Sequence, residues 1–501
     1  MRCAPIPRHS TPTAGSSTGF PALASASRRS LAQRWRRSSA PPPRCATSTP
    51  SAEWWRNTVQ GIKWRMSKAA KTVPFLLVLL SVLVSAQQRS IAPAARPQPV
   101  AKSAGFSAER LARIDAVLQR YVDENRMAGA VGLVLRDGRP VYERAVGWSD
   151  KEAGRKMTSD TIFRIASQSK ALTSVAILQL VEEGRVALSN PVSDFIPAYA
   201  KTTVAVKGDN GMSTVPAIRA ITIRDLLTHT AGISYGTDPL VAALYEAKGL
   251  GPAAGYGWYT ADKDEPVCNT MERLATLPFV AQPGDAWVYG YNTDILGCVV
   301  ERASGMTLDK YIESRITAPL GLKDTRFFLP PDQHDRLAAV YASAQDGRIT
   351  RAPDGARGQG HYVDGPRRSF SGGAGLLSTA RDYARFLEMI RLGGTLDGAR
   401  ILSPRSVALM TTNQIGTLMS KTGLGFGLGF ETTDRYGASG MNSVRGFGWG
   451  GAYGSIYRVD PEERLVIVFM IQLMPSNTDI REKFPTLVYQ ALDEGRPPGS
   501  H

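Results

Sequence analysis

Alternating apolar and polar positions near each end of the chain predict two β-hairpins. The first segment, VGLVLRDGRPVYERAVG, turns at Asp137-Gly138, and the second, GSIYRVDPEERLVIVFMIQ, turns at Asp460-Pro461. A period of two around a turn-forming dipeptide is typical of paired antiparallel strands. The two hairpins are far apart in the sequence, so a single sheet that contains both must be built from the two ends of the chain.

Helical periodicity flanks these hairpins and dominates the region between them. Residues 107–125, SAERLARIDAVLQRYVDEN, repeat apolar positions at helical spacing, and a second amphipathic helix is predicted around Phe484 to Leu492. No Pro- or Ser-rich linker divides the chain after about residue 105. The pattern predicts an α+β fold for residues 105–495, in which an antiparallel sheet is flanked by the terminal helices and carries an inserted, mostly helical subdomain.

The N-terminal segment has a different composition. Residues 1–65 are rich in Ser, Pro and Ala without apolar periodicity, which predicts a disordered or non-native upstream leader. Residues 66–86 place two lysines before a short apolar run and small residues, the layout of a signal peptide that ends at Ala86. Residues 87–104 would then form a linker, and the mature protein would be periplasmic or secreted. An uncleaved anchor with a basic tail is the alternative.

The positive charge of the whole chain does not point to a polyanionic partner. The formal net charge is +16, of which residues 1–65 supply +10 and Lys68 and Lys71 a further +2, leaving +4 after cleavage. Without a strong basic excess, we expect no nucleic acid partner, and without the apolar run we expect no stable membrane insertion. A small-molecule substrate is the expected partner.

Two cysteines remain after the predicted cleavage, Cys268 and Cys298. Two thiols do not make a disulfide framework, and Cys298 lies in the apolar run ILGCVVE. A buried free thiol is therefore the expected state of Cys298. A bridge between the two cysteines is the open alternative.

The segment FRIASQSKALTS carries the strongest candidate chemistry. Helical periodicity begins at about Ser169, so Ser167 would lie at a helix N-terminus with Lys170 three residues later on the same side. A serine hydroxyl needs a neighbour that removes its proton, and a buried lysine can do this when neutral. A Ser-x-x-Lys spacing is weak by itself, because an ordinary N-cap serine explains it equally well.

The rest of the chain favours the nucleophile over the N-cap interpretation of Ser167. FRIASQSKALTSVAILQLVEEGRVALSNPVSDFIP resembles the nucleophile region of the serine beta-lactamase and penicillin-binding-protein group, and ITIRDLLTHTAGI, WVYGYNTDILGCVVERASG, FSGGAGLLSTARDYARFLEMI and FGWGGAYGSIYRVDP continue the likeness in order. The resemblance covers nearly all of residues 105–490. It is closest to class C beta-lactamases and, closer still, to the beta-lactamase-like carboxylesterases called family VIII. It implies the beta-lactamase/transpeptidase-like fold and a covalent acyl-enzyme on Ser167, with no cofactor and no metal.

The second motif of this group begins with a tyrosine, and its spacing favours Tyr289 over the nearby Tyr291. A phenol near Lys170 could relay the proton, although which of the two is the base is left open. Tyr291 is predicted to contact substrate, with packing at a helix start as its alternative. Asn292 comes one residue later than the asparagine of class C enzymes, which disfavours beta-lactamase activity.

The third motif reads Trp449-Gly450-Gly451, where lactamases and peptidases carry a lysine or histidine. A cation suits a substrate carboxylate, whereas tryptophan offers apolar area and one donor. The resemblance therefore implies that these three residues bind a neutral, partly apolar ester. It also implies an oxyanion hole formed by the backbone N–H groups of Ser167 and Ala452.

Together these features predict a serine hydrolase that cleaves carboxylic esters with short or medium acyl groups. Two alternatives use the same nucleophile: a beta-lactamase or D-amino-acid peptidase acting on cell-wall-like amides, and an acyltransferase.

Three other features are given lesser roles. Lys421-Thr422-Gly423 spells a lactamase triplet but precedes the expected strand. His229 is interpreted as a hydrogen-bonded core or turn residue rather than a member of a catalytic triad. Residues 236–266, rich in Gly and aromatic residues, form either a wall of the acyl pocket or a surface loop packed on itself.

Overall fold

The computed structural model describes residues 105–209, 211–251, 262–355, 358–419 and 422–493. The leader, signal peptide and linker predicted for residues 1–104 lie outside these ranges, as do residues 494 and 495 at the end of the predicted domain. Among the helices within the described ranges, none combines the length and apolarity needed to cross a bilayer.

Most of the strands come from the two ends of the described chain. They are β1 (Gly129–Arg136), β2 (Arg139–Asp150), β3 (Arg155–Lys156), β4 (Phe163–Arg164), β5 (Thr203–Gly208), β6 (Gly211–Pro216), β7 (Tyr341–Ser343), β8 (Ile349–Arg351), β9 (Leu377–Ser378), β10 (Thr395–Leu396), β11 (Ala399–Arg400), β12 (Leu424–Phe426), β13 (Glu431–Thr433), β14 (Phe447–Gly450), β15 (Ile456–Asp460) and β16 (Leu465–Met470).

Helices begin and end the described chain and fill its middle. They are α1 (Ala108–Asp123), α2 (Ser169–Glu182), α3 (Ile223–Leu227), α4 (Ala242–Ala247), α5 (Val267–Leu274), α6 (Asn292–Ser304), α7 (Leu308–Ile312), α8 (Ala318–Leu320), α9 (Ala380–Arg391), α10 (Pro404–Met410) and α11 (Ile480–Tyr489). Short 3₁₀ turns occupy Ala166–Gln168, Val192–Asp194, Pro197–Lys201 and Pro331–Arg336, and a π-helical turn occupies Glu313–Thr317.

Eight strands form one antiparallel sheet in the order β12-β13-β14-β15-β16-β1-β2-β3. Strands β1 and β16 pair in the middle, from Val131 opposite Met470 to Arg136 opposite Leu465. The sheet therefore joins the two predicted hairpins. The first turn is tight because Asp137 and Gly138 both adopt positive φ, at 51° and 73°, as a two-residue hairpin turn requires.

The alternation of side chains along β1 explains why the sheet has a core on each face. Val131, Leu133 and Leu135 pack into the larger core with α2, whereas Ala130 and Val134 pack against the terminal helices. Gly132 lets α11 approach closely, since a Cβ at this position would lie 2.8 Å from the Phe484 ring.

Helix α2 is buried on all sides, with every residue from Ser169 to Leu180 buried. A helix surrounded by protein in this way is a central packing element rather than a surface element. It begins at Ser169, as the periodicity predicted. Its position fixes where the preceding Ser167 and the buried Lys170 lie.

A disulfide joins Cys268 of α5 to Cys298 of α6, with a Cα–Cα distance of 5.0 Å. The expectation of a free buried thiol at Cys298 is therefore wrong. Both side chains are buried, at 5% and 0% exposure, because the two helices pack side by side. That packing is a tertiary feature, and the sequence around either cysteine does not reveal it.

Replacing both cysteines by serine should lower the free energy of unfolding by about 3 kcal/mol, because the bridge closes a loop with a sequence separation of 30. Thermal unfolding of the double variant and the unreduced protein measures the difference. Alkylation of the unfolded, unreduced protein is the control. Modification of Cys268 and Cys298 without reductant would contradict the bridge.

Candidate active site

Ser167 lies in the 3₁₀ turn that connects β4 to α2. The preceding Ala166 adopts φ 46°, a left-handed conformation that costs a non-glycine residue energy and often occurs at functional sites. The Ser167 side chain does not cap α2, since the N-cap is Gln168 and makes no side-chain cap hydrogen bond. The structure therefore does not support the N-cap interpretation of Ser167.

Lys170 is buried at 2% exposure and its amine approaches the nucleophile candidate. Nζ donates to Ser167 Oγ at 3.3 Å, to the Tyr235 hydroxyl at 2.8 Å and to the Gly373 carbonyl at 2.8 Å. Three acceptors match the three N–H groups of an ammonium, and the amine is held in one orientation. This geometry lets Lys170 exchange a proton with Ser167.

Tyr289 lies just before α6, beside the Lys170 amine. Its ring centroid is 4.8 Å from Lys170 Nζ, and its hydroxyl accepts from Trp449 Nε1 at 3.1 Å. Tyr289 is partly exposed, so its phenol can meet a substrate. The structure thus brings Ser167, Lys170 and Tyr289 together.

Tyr291, predicted to contact substrate, is placed differently. It is buried at 1% exposure, and its hydroxyl accepts from the Gly251 N–H at 2.9 Å. This geometry does not support substrate contact at Tyr291, because its ring and its hydroxyl are both enclosed by protein. The structure instead supports the alternative, in which Tyr291 packs at the start of α6. Asn292 is equally buried and donates to the Ile233 carbonyl at 3.3 Å.

Strand β14 brings the third motif to the nucleophile turn. Gly451 abuts this turn so closely that a Cβ would lie 2.5 Å from the Ile165 carbonyl oxygen. A side chain at this position would push β14 away from Ser167. Trp449, Gly450 and Ala452 are partly exposed around the same opening, and Ala452 follows the close contact directly.

Four aromatic side chains form what we call the aromatic wall: Trp287, Tyr289, Phe426 and Trp449. The Trp287 and Tyr289 rings stack with centroids 5.8 Å apart, and the Trp449 centroid is 5.3 Å from that of Tyr289. Phe426 meets Trp449 edge to face at 5.5 Å. The surface beside the reacting hydroxyl is therefore largely apolar, with phenol and indole groups as its polar atoms.

Sequence reasoning missed Tyr235. Its hydroxyl lies 2.8 Å from Lys170 Nζ, and burial first and then the neighbouring Tyr289 phenol raise the pKa of Tyr235 well above its usual value. Tyr235 therefore stays protonated and holds the lysine amine. Its position just after HTAGI was the available signal, but no spacing rule separates it from other tyrosines of the chain.

His229 packs against the Tyr289 ring inside the protein. It is buried at 1% exposure, and its Nδ1 lies 2.9 Å from Asn292 Nδ2. Burial, and then the positive charge of Lys170, hold the pKa of His229 well below its usual range. The imidazole is therefore neutral, and it packs with its centroid 4.8 Å from that of Tyr289.

The remaining predicted features lie elsewhere or only partly within the described chain. Lys421 is outside the described residues, and Gly423 precedes β12 at the far edge of the sheet. Of the proposed acyl-pocket wall, residues 252–261 are outside the described ranges, while Tyr245 is fully buried in the core. Within the described residues, no group of three or more His, Cys, Asp or Glu side chains is arranged to hold a metal ion.

Comparison with known proteins places this geometry in a family. The family model described as Beta-lactamase matches residues 114–491. Esterase EstB of Burkholderia gladioli is 34% identical over 71% of this chain and 88% of its own length. Protein Rv1367c of Mycobacterium tuberculosis is 35% identical over 72% of this chain and 89% of its own length.

A solved structure gives the same result for the fold. The structure of "EstCE1, a hydrolase with promiscuous acyltransferase activity" superposes with a TM-score of 0.64 at 27% identity, over 77% of this chain and 99% of that one. The predicted α+β, beta-lactamase/transpeptidase-like fold is confirmed. The chain belongs to the beta-lactamase family and is a serine hydrolase.

Proposed function

We propose that this enzyme hydrolyses carboxylic esters with short or medium acyl groups through a covalent acyl-enzyme on Ser167. The observation that carries the proposal is the approach of Lys170 Nζ to Ser167 Oγ at 3.3 Å beneath the aromatic wall. The name of the relative Esterase EstB supports the ester as substrate class.

In the proposed mechanism, Ser167 Oγ attacks the ester carbonyl carbon as its proton passes to the Lys170 and Tyr289 pair. The backbone N–H groups of Ser167 and Ala452 hold the negative oxygen, each contributing about 3 kcal/mol to the transition state. The pair then returns a proton to the departing alkoxide oxygen. Water attacks the acyl-enzyme carbonyl, and the carboxylic acid leaves with Ser167 regenerated.

Tyr235 acts as a positioning residue in this proposal, because its hydroxyl accepts from the Lys170 amine at 2.8 Å and holds that amine in place, while no bond to the substrate is assigned to Tyr235.

Trp449 supports an ester rather than a lactam as substrate. Its indole N–H already donates to the Tyr289 hydroxyl at 3.1 Å, and its ring extends the aromatic wall. A cephalosporin carries a carboxylate that a lysine or histidine at this position would bind. Because Trp449 carries no charge, the carboxylate loses a charge-assisted hydrogen bond on entering the site.

We therefore expect kcat/KM for a short-acyl nitrophenyl ester to exceed that for a chromogenic cephalosporin by about 10- to 100-fold or more, the loss corresponding to one charge-assisted hydrogen bond. Steady-state hydrolysis of both substrates by the same preparation measures the ratio. Equal or faster hydrolysis of the cephalosporin would favour the beta-lactamase alternative.

The acyltransferase alternative is favoured by the acyltransferase activity named for EstCE1. The same ester assay with an added alcohol or amine distinguishes the two outcomes, because a transferase yields the acylated acceptor in preference to the free acid.

We also propose export with cleavage after Ala86, which N-terminal sequencing of the protein from its native host tests.

A further inference from the structure

Asp294 lies in the first turn of α6, fully buried behind the candidate site. Its Oδ1 accepts from Ser371 Oγ at 2.5 Å and from the Gly373 N–H at 3.2 Å. Both donors belong to the segment SGGAG, residues 371–375, which contacts α6 through Asp294 and α2 through Lys170 and Thr173. Burying a carboxylate costs free energy even when hydrogen bonds offset part of the cost. A role in the neighbouring site would explain why Asp294 is buried here.

Gly373 connects this carboxylate to Lys170. Its N–H is held by Asp294, and its carbonyl oxygen accepts from Lys170 Nζ at 2.8 Å. A Cβ on Gly373 would lie 2.4 Å from Asp294 Oδ2, so the contact excludes a side chain at this position. The preceding glycine is also held, because the Gly372 carbonyl accepts from Thr173 Oγ1 of α2 at 2.9 Å.

We propose that Asp294 is a positioning residue for the reaction: through Gly373 it fixes the acceptor that orients the Lys170 amine, and its buried negative charge favours the protonated form of the Lys170 and Tyr289 pair. This inference rests on the proposed function, since it concerns the proton transfer at Ser167. A charge acts strongly here because the surrounding interior is apolar and shielded from water.

The titratable groups that face Asp294 come from several elements. They are Tyr199 of a 3₁₀ turn, Tyr235 of the segment after α3 and Tyr291 before α6, and Lys170 of α2 is linked to Asp294 through Gly373. Burial first, and Asp294 among the further causes, raises the pKa of Tyr235, Tyr199 and Tyr291.

The test is Asp294→Asn in the full chain. The amide oxygen can still accept from Ser371 and Gly373, while the charge is lost. With a nitrophenyl ester, we expect kcat to fall about 10- to 100-fold with little change in KM, which is less than the roughly 10²- to 10⁴-fold loss of a general acid–base group, because the pair is displaced and not removed. The acid limb of the kcat/KM profile should move to lower pH by about one unit, because loss of a nearby negative charge favours deprotonation of the pair.

Asp460→Asn is the matched control. Asp460 is also fully buried and accepts from the Ser443 N–H and the Tyr489 hydroxyl, both at 2.9 Å, but it lies at the β15–β16 turn. We expect this control to lose stability without moving the acid limb. An unmoved acid limb in Asp294→Asn, or an equal shift in Asp460→Asn, would overturn the inference.

A second variant keeps the inference testable if Asp294→Asn does not fold. Ser371→Ala keeps the carboxylate charge but removes one of its donors, so we expect a severalfold fall in kcat and an unmoved acid limb. Wild-type kcat in this variant would count against a positioning role. Failure of the proposed function looks different, because the unmodified enzyme would then neither hydrolyse the ester nor be labelled at Ser167 by a fluorophosphonate.

Discussion

Replacing Ser167 by alanine is expected to lower kcat/KM for a nitrophenyl ester by about 10⁴-fold or more, the loss typical of removing a nucleophile. The expectation follows from the position of Ser167 Oγ, 3.3 Å from the buried Lys170 amine. The hydroxyl does not cap α2, because Gln168 is the N-cap residue. A fluorophosphonate probe followed by peptide mapping gives a second readout. The label should appear on Ser167 in the unmodified enzyme and be lost in the variant.

Ser169→Ala is the control for this experiment. Ser169 is also buried in the same segment, and its hydroxyl accepts from the Leu376 N–H at 3.0 Å. Losing that hydrogen bond should cost about 1 kcal/mol of stability while the label remains on Ser167. Label on another residue, or full activity of Ser167→Ala, would overturn the proposed mechanism.

Replacing Tyr289 by phenylalanine should lower kcat by about 10²- to 10⁴-fold, the range for loss of a general acid or base. The Tyr289 ring lies 4.8 Å from Lys170 Nζ, and phenylalanine keeps this ring in the aromatic wall while it removes the hydroxyl. Steady-state kinetics with the same ester measures the effect. Because Trp449 Nε1 loses its acceptor in this variant, a modest change in KM should accompany the fall in kcat.

Tyr291→Phe is the matched comparison, and it tests which tyrosine of YGYN takes part in the reaction. The Tyr291 hydroxyl accepts from the Gly251 N–H inside the protein, so removing this hydroxyl should cost about 1 kcal/mol of stability and change kcat only severalfold. The reverse result, with Tyr291→Phe the inactive variant, would show that the tyrosine was assigned incorrectly.

Tyr235 extends this interpretation of the site. Its phenol, the Gly373 carbonyl and Ser167 Oγ surround the same amine, so the orientation of Lys170 depends on three segments that meet only in the folded protein. A Ser-x-x-Lys spacing therefore supplies a nucleophile and a possible base, while other parts of the fold determine whether they can react.

Much of the fold follows from local sequence. The period-two segments and their turn residues predicted the β1–β2 and β15–β16 hairpins, and apolar periodicity predicted the start of α2 at Ser169. These features are local because hairpin turns and helix starts depend on residues within a few positions of one another. The order of the family-like motifs then indicated the rest of the architecture.

The sequence by itself therefore determined the hairpins, the central helix and the pairing of Ser167 with Lys170, three residues apart. Only the tertiary structure decided that Tyr235 and Gly373 bind the lysine amine, across separations of 65 and 203 residues, that Tyr291 is enclosed, and that Cys268 bonds Cys298. The physical reason is that such contacts depend on how helices and loops pack against one another. No local periodicity or spacing records that packing.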